Sequence, residues 1–211
     1  MKAAVVCRGK VGRAVTRDRK AFEEYFSHLR EISVFGRAYK RFFSSPVLYF
    51  CARRFGPRVI EIGSGIGSGI VGAFPDHVAG LEINPVAVDY CRDAGLNVQL
   101  IDADGRFPVN DAAFDACVLD NVLEHIDDPS RTLDECCRVT RENGGMVIAV
   151  PGIRGYGLDA DHKKFYAKNA LTVLDKRWSM QSVFSIPFFF NCEVLSKCVK
   201  QYCVVATYKK V

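Results

Sequence analysis

The chain has 211 residues, 49% of them hydrophobic and 25% charged, with a mean hydropathy of +0.03. It lacks low complexity, internal repeats and any apolar run near the ~20 residues of a membrane helix, which argues against a disordered chain, a solenoid and a helical membrane protein and leaves one domain with a substantial core. Its formal charge of +5 is unevenly spread, since residues 1–58 hold 14 Lys/Arg against 4 Asp/Glu and residues 59–211 hold 15 against 20.

The nine cysteines are scattered, odd in number and without a C-x-x-C pair. They read as reduced thiols packed as small hydrophobes. The short apolar run after Met1 is followed by many charges, so no secretory signal is expected and the cytoplasm is the expected location.

In chain order, Arg8, Lys10, Arg13, Arg17, Arg19 and Lys20 make a basic arm. Phe22, Tyr25, Phe26 and Leu29 have helical spacing and predict a helix over Ala21–Arg30. The stretch Val34–Phe55 interleaves aromatic residues with Arg37, Lys40, Arg41, Arg53 and Arg54. Pro46 predicts a helix start capped by Ser44 or Ser45. This region reads either as amphipathic helices with a solvated basic face or as a surface for an anionic partner.

From Val59 the pattern alternates strand and helix. Val59–Ile62 predicts a buried strand; Gly63, Gly65 and Gly67 follow at alternate positions, then a helix start whose free N–H groups suit an anionic group. The spacing is G-x-G-x-G and not the dinucleotide fingerprint G-x-G-x-x-G. Further strands are expected at His77–Ile83, Val98–Ala103, Phe114–Asp120 and Met146–Val150, with helices from Asn84-Pro85 to Ala94 and over Pro129–Thr140. This rhythm predicts a parallel sheet covered on both faces, with ligands at the strand ends. After Gly157 a helix is expected over Lys163–Lys176, then strands at Gln181–Phe190 and Cys198–Lys209 that pair antiparallel at the far side.

Glu61, Glu82, Asp102 and Asp120 lie in or at the ends of successive strands, and a carboxylate placed like Glu82 can accept two hydrogen bonds from a ribose diol. Solvated strand ends often carry acids, but four in this rhythm behind a glycine turn make chance a poor account.

With VIEIGSGIG (59–67), GLEINP (80–85), LIDADGRFPV (100–109), FDACVLDNVLEHIDDP (114–129), ECCRVTRENGGMVIAVPG (135–152) and DHKKFYAKNAL (161–171), the chain resembles the class I S-adenosylmethionine-dependent methyltransferases over about residues 57–175, in particular the ubiquinone-pathway and small-molecule group. The resemblance implies an α/β, Rossmann-like seven-stranded, mostly parallel sheet of order 3-2-1-4-5-7-6 with the last strand antiparallel. Charge and pattern together divide the chain into a basic helical segment, 1–56, expected on the acceptor side, and a cofactor domain, 57–211. By the same resemblance, Gly63, Ser64, Gly65 and Gly67 match the loop around the methionine part of S-adenosylmethionine. Glu61 matches the acid beneath that loop, Glu82 the ribose-diol acid, and Ile83 the residue packing on adenine. Asp102 and Ala103 match the adenine contacts, and Asp120 and Asn121 the strand end beside the reacting methyl.

Methyl transfer from a sulfonium needs mainly positioning, with a general base where the acceptor is a hydroxyl or protonated amine. His125 is the candidate base; a structural role holding its loop is the alternative. Some related O-methyltransferases hold a metal with E-x-x-E-H, but Asn121 replaces the first acid here and no metal is expected. His162 and Tyr166, with Phe165, are candidate substrate-side residues, with capping and core packing as the alternative. The expected function is methyl transfer to a small-molecule or lipid-linked acceptor, with peripheral contact to an anionic membrane through the basic segment left open. An RNA methyltransferase is the less favoured alternative, since Asp120-Asn121-Val122-Leu123 is unlike an N-P-P-Y tetrad, and a non-catalytic partner subunit is the third.

Overall fold

The computed structural model describes residues 15–31, 34–172 and 174–211, so Arg8, Lys10 and Arg13 of the basic arm lie outside the described residues. Seven strands form one sheet: β1 (Val59–Ile62), β2 (Val78–Glu82), β3 (Val98–Leu100), β4 (Phe114–Asp120), β5 (Thr140–Pro151), β6 (Trp178–Ile186) and β7 (Cys203–Lys210). Their order is β3-β2-β1-β4-β5-β7-β6, as the resemblance implies. All neighbours pair parallel except β7, which runs antiparallel to β5 and to β6.

Strand alternation divides the core between the two faces of the sheet. Ile60, Ile62, Leu81, Leu119 and Ile148 pack on one side with Leu133, Trp178 and Tyr208. Val59, Val78, Ala116, Val118 and Val147 pack on the other with Leu48, Tyr49, Ala52, Ile70 and Val88. The central strands therefore read as nearly continuous apolar runs.

The first helix, α1 (Val15–Arg30), starts earlier than Ala21. Next, α2 (Val34–Tyr39) runs through a π-helical stretch, Lys40–Ser44, into α3 (Ser45–Arg53) without a break. Ser44 and Ser45 have helical backbone angles and Ser44 makes no side-chain cap, so the expected fresh start at Pro46 is a continuation. A proline inside a helix lacks one N–H and crowds the preceding turn; the wider π turn, with Ser45 N–H on the Lys40 carbonyl, accommodates it.

The helix after the glycines, α4 (Ile70–Ala73), is one turn long. Helix α5 (Pro85–Asp93) is capped by Asn84, whose Oδ1 accepts from Val86 N (3.0 Å) and Ala87 N (3.4 Å). The third strand stops at Leu100 and not at Ala103, because Asp102 N–H turns to the Arg106 carbonyl (3.0 Å) and Gly105 N–H to the Asp102 carbonyl (2.8 Å). Helix α6 (Ser130–Val139) leads directly into β5. After the single turn α7 (Ile153–Tyr156), the expected Lys163–Lys176 helix shrinks to α8 (Lys168–Thr172). Lys163 and Lys164 instead donate their N–H groups to the Glu124 carbonyl, at 2.7 and 3.1 Å. Strand β6 ends before Pro187, which has no N–H for a ladder, and Phe188–Phe190 lie outside it and exposed. Short helix α9 (Glu193–Cys198) then leads to β7. None of the described helices is long and apolar enough to cross a membrane, and the eight described cysteines are free.

The loop between β3 and β4 is fastened by one side chain. Arg138 on α6 donates to the carbonyls of Phe107 and Val109 (2.9 Å each), to Glu135 (2.6 Å) and to Asp111 (2.6 Å). Glu135 in turn accepts Phe107 N–H at 2.8 Å. Arg138→Ala should destabilise by roughly 1–2 kcal/mol, as several partly exposed charge-assisted bonds are lost together. Faster proteolysis within residues 104–113 and a lower melting temperature would show it; wild-type values for both would remove the role.

Candidate functional site

The carboxyl ends of β1, β2 and β4 open into a cavity of about 1460 Å³. At its floor the chain turns through Gly63, Gly65 and Gly67 with φ of +71°, +53° and +73°, a left-handed course that side chains rarely adopt. Gly63 and Ser64 donate N–H to the Leu81 carbonyl (2.8 and 3.0 Å), fixing the loop over β2.

Two buried carboxylates hold this loop. Glu61, 2% exposed, accepts from Ile70 N (3.2 Å) and Val71 N (2.8 Å). The N–H groups at the start of α4 are therefore taken by the chain's own carboxylate and are not free for an anion, a correction to the sequence expectation. Burial pushes Glu61 up to about 7, against the pull of the Val71 N–H and Lys40. Glu82, 5% exposed, accepts from Gly65 N (2.7 Å), Ile83 N (2.9 Å) and Asn84 N (2.9 Å). Burial raises it too, against those three N–H groups.

The N-terminal helices form the opposite wall. Asn84 Nδ2 donates to the Phe22 carbonyl (2.9 Å), and Phe26 meets Tyr90 edge-on at 5.4 Å, so α1 lies across the mouth of the glycine loop. It presents Tyr25 and His28 to the cavity. Burial, then Glu82, pushes Tyr25 up to about 12. From the π stretch, Lys40 reaches Asp120 Oδ2 at 3.0 Å. Burial opposes the charge on Lys40, but Asp120 and Glu61 outweigh it and its pKa rises. Asn121, with φ +56°, donates its Nδ2 to Asp120 Oδ1 (2.8 Å).

Beyond Asp120 the 3-10 turn Leu123–His125 carries a buried Glu124 and a half-buried His125. Burial pushes Glu124 up to about 8. Burial and the neighbouring His162 hold His125 below the ordinary imidazole value. The rings of His125 and His162 lie 4.6 Å apart.

The fold thus gathers Gly63, Ser64, Gly65, Glu82, Ile83, Asp120, Asn121, His125 and His162 on one cavity wall. Glu61 and Gly67 stand behind the loop, outside the lining. Asp102 and Ala103 sit in the exposed turn after β3, and Tyr166 is buried in the core beneath, all three away from the lining. Lys40, Tyr25 and Gly69 escape the sequence reading as site residues. A Cβ at Gly69 would overlap the Glu61 carboxylate, a constraint hinted at only by one more small residue after the loop.

Residues 60–148 match the family model described as a methyltransferase domain. Two Mycobacterium tuberculosis proteins (strains CDC 1551 / Oshkosh and ATCC 25618 / H37Rv), each named as an S-adenosylmethionine-dependent methyltransferase, are 30% identical over 107 residues, covering 47% of this chain and 39% of theirs. The chain thus matches about two fifths of the length of these curated relatives. Among solved structures, a SAM-dependent methyltransferase from Aquifex aeolicus has a TM-score of 0.61 at 17% identity, covering 89% of this chain and 98% of that one. The N-methyltransferase NodS from Bradyrhizobium japonicum WM9, solved with S-adenosyl-L-homocysteine, scores 0.64 at 14% identity, covering 91% and 97%. The [4+2]-cyclase SpnF scores 0.57 at 15%, covering 79% and 80%, so the fold alone does not fix the reaction. With its strand order and its glycine loop set between Glu61 and Glu82, the chain has the fold of these solved S-adenosylmethionine-dependent methyltransferases, and over residues 60–148 it is similar to a methyltransferase domain.

Proposed function

We propose that the chain transfers the sulfonium methyl of S-adenosylmethionine to a small-molecule or lipid-linked acceptor held between Asp120 and His162. The observation that carries this reading is the position of Glu82. Its carboxylate is buried, tied to the glycine loop by Gly65 N–H and still on the cavity wall, where a lone pair can meet a ribose diol. Gly63–Gly65 then face the methionine part, and Asp120 and Asn121 the sulfonium end. Transfer forms one bond from an acceptor lone pair to the methyl carbon as the carbon–sulfur bond breaks, leaving S-adenosylhomocysteine. The protein's share is to align the two and exclude water. Helix α1 and the π stretch, which supply Tyr25, His28 and Lys40, form the acceptor side. The eight free thiols among the described residues suit a reducing compartment, so we place the protein in the cytoplasm. The basic, aromatic segment 34–55 suits an acceptor carried at an anionic membrane surface.

Calorimetric titration with S-adenosylmethionine and S-adenosylhomocysteine tests this. Wild type should bind both at micromolar levels. Glu82→Gln should bind at least about tenfold more weakly, 1.4 kcal/mol, because an amide group then faces N–H donors in place of a carboxylate. A melting curve run alongside separates lost binding from lost fold. Absence of binding to folded wild type overturns the cofactor site; unchanged affinity in folded Glu82→Gln removes Glu82 from it.

A further inference from the structure

Three side chains on the acceptor side meet in a way that the positioning of methyl donor and acceptor does not require. Glu124, His125 and His162 each offer one ligand atom, and these atoms lie within 4.8 Å of one another. The meeting is built by the backbone: the Glu124 carbonyl takes the N–H groups of Lys163 and Lys164, which brings His162 over the 3-10 turn.

Each of the three is prepared for something beyond its protein neighbours. Glu124 is 1% exposed, and neither carboxylate oxygen has a hydrogen-bond partner among the described residues. A buried carboxylate in that state is costly unless a cation matches it. The neighbouring cation, Lys40, is engaged with Asp120. His125 Nδ1 is likewise buried and without a partner among the described residues. His162 uses Nδ1 on the Tyr156 carbonyl at 2.8 Å. With the proton on that nitrogen, the lone pair is on Nε2, which faces Glu124 Oε1 at 4.0 Å and Asp159 Oδ2 at 3.8 Å. Orientation of an imidazole by a backbone carbonyl on its other nitrogen is the usual support of a metal-binding histidine. Ligand atoms about 2.1 Å from one ion stand roughly 3–3.5 Å apart, so small side-chain rotations close this cluster onto an ion.

We propose that Glu124, His125 and His162 bind a divalent transition cation of the zinc, cobalt or manganese kind, with the remaining coordination positions open to the cavity. One carboxylate with two imidazoles suits these ions better than magnesium or calcium, which prefer all-oxygen sites. His125 is then a ligand and not the proton acceptor its place in the sequence suggests. The open positions would take an oxygen donor of the acceptor; this last step, and not the binding of the ion, rests on the methyl-transfer reading.

The test uses the full chain, stripped with a chelator and titrated with Co²⁺ and Zn²⁺. Wild type should bind one ion per chain, shown by cobalt d–d absorption and by equilibrium dialysis with metal analysis, and Zn²⁺ should raise its melting temperature. Glu124→Gln and His162→Ala should each weaken binding tenfold or more, since outer partners of such sites alone are worth 10–100-fold. His77→Ala, which removes an exposed histidine outside the cavity, should bind as wild type does. Failure of folded wild type to bind either ion overturns the proposal, as does equal binding by all four proteins, which marks adventitious histidine capture. Because the wild-type result stands alone, a variant that misfolds does not shield the idea. Cofactor titration of the same stripped protein separates failure of this site from failure of the cofactor site.

Discussion

Gly63→Ala should weaken cofactor binding at least about a hundredfold and lower the melting temperature by roughly 4–20 °C. At φ +71° a side chain costs about 1–2 kcal/mol. The new Cβ would also stand 2.6 Å from Val122 Cγ2, an overlap worth about 1–3 kcal/mol in a packed interior. Together these give roughly 2–5 kcal/mol, at about 2–4 °C per kcal/mol for a domain of this size. Relief requires the loop to lift from the Leu81 carbonyl or the residue after Asn121 to move, and each motion spoils one end of the cofactor site. Affinity should fall at least about a hundredfold, 2.7 kcal/mol. Differential scanning fluorimetry and calorimetry on one preparation check both parts. Wild-type melting with intact binding would show that the loop does not need the left-handed turn.

Asp115→Ala should destabilise the fold by about 2–3 kcal/mol, or roughly 4–12 °C, at the opposite end of the sheet from the cavity. The Asp115 side chain, 6% exposed, accepts from Arg58 N (2.9 Å), Arg58 Nη2 (2.9 Å) and Arg141 Nε (2.7 Å). It thereby ties the entry to β1 and the start of β5 to β4. Both arginines stay half in water, so the loss falls short of that for a fully buried pair. Hydrogen bonds from Arg58 hold the carboxyl well below the ordinary range, against the effect of burial. A depressed native pKa means that the unfolded chain binds the proton more readily. The stabilisation is complete above the unfolded value, about 3.9, and is lost as pH falls below it towards the native value. Urea unfolding at pH 7 and pH 3 should therefore show the gap between wild type and variant shrinking at the lower pH. A gap constant across that range would mean that packing, and not charge, is the source.

What the sequence discloses depends on whether the physical constraint has a local signature. Gly63, Gly65 and Gly67 are legible because a left-handed turn demands glycine. Strand β4 is legible because a β-prone apolar run follows the polar pair Asn110-Asp111 and is closed by Asp120 and Asn121. The Lys163–Lys176 helix is misread because the pattern cannot show that the Glu124 carbonyl, far back in the chain, fastens Lys163 and Lys164 to the 3-10 turn, outside any helix. Backbone partners carry no side-chain signature. For the same reason the seating of α1 on Asn84, through the Phe22 carbonyl, is invisible beforehand. Asp102 stands in an exposed tight turn through Gly105, between the cavity-lining Ile101 and Gly105, a placement that its residue type alone does not disclose.

The two carboxylates under the glycine loop also decide what the cavity refuses. A Rossmann loop that takes a dinucleotide leaves its N–H groups bare for pyrophosphate. Here Glu61 takes those of Ile70 and Val71, and Glu82 takes that of Gly65. A phosphate brought to this turn would meet negative charge where it needs donors. On the methyl-transfer reading, phosphorylated nucleotides would find no free donors at this turn, while a nucleoside carrying a positive sulfur would be met with attraction where the carboxylates are ionised. On the methyl-transfer reading proposed above, this internal neutralisation of the anion cradle would bias the site towards a nucleoside without phosphates.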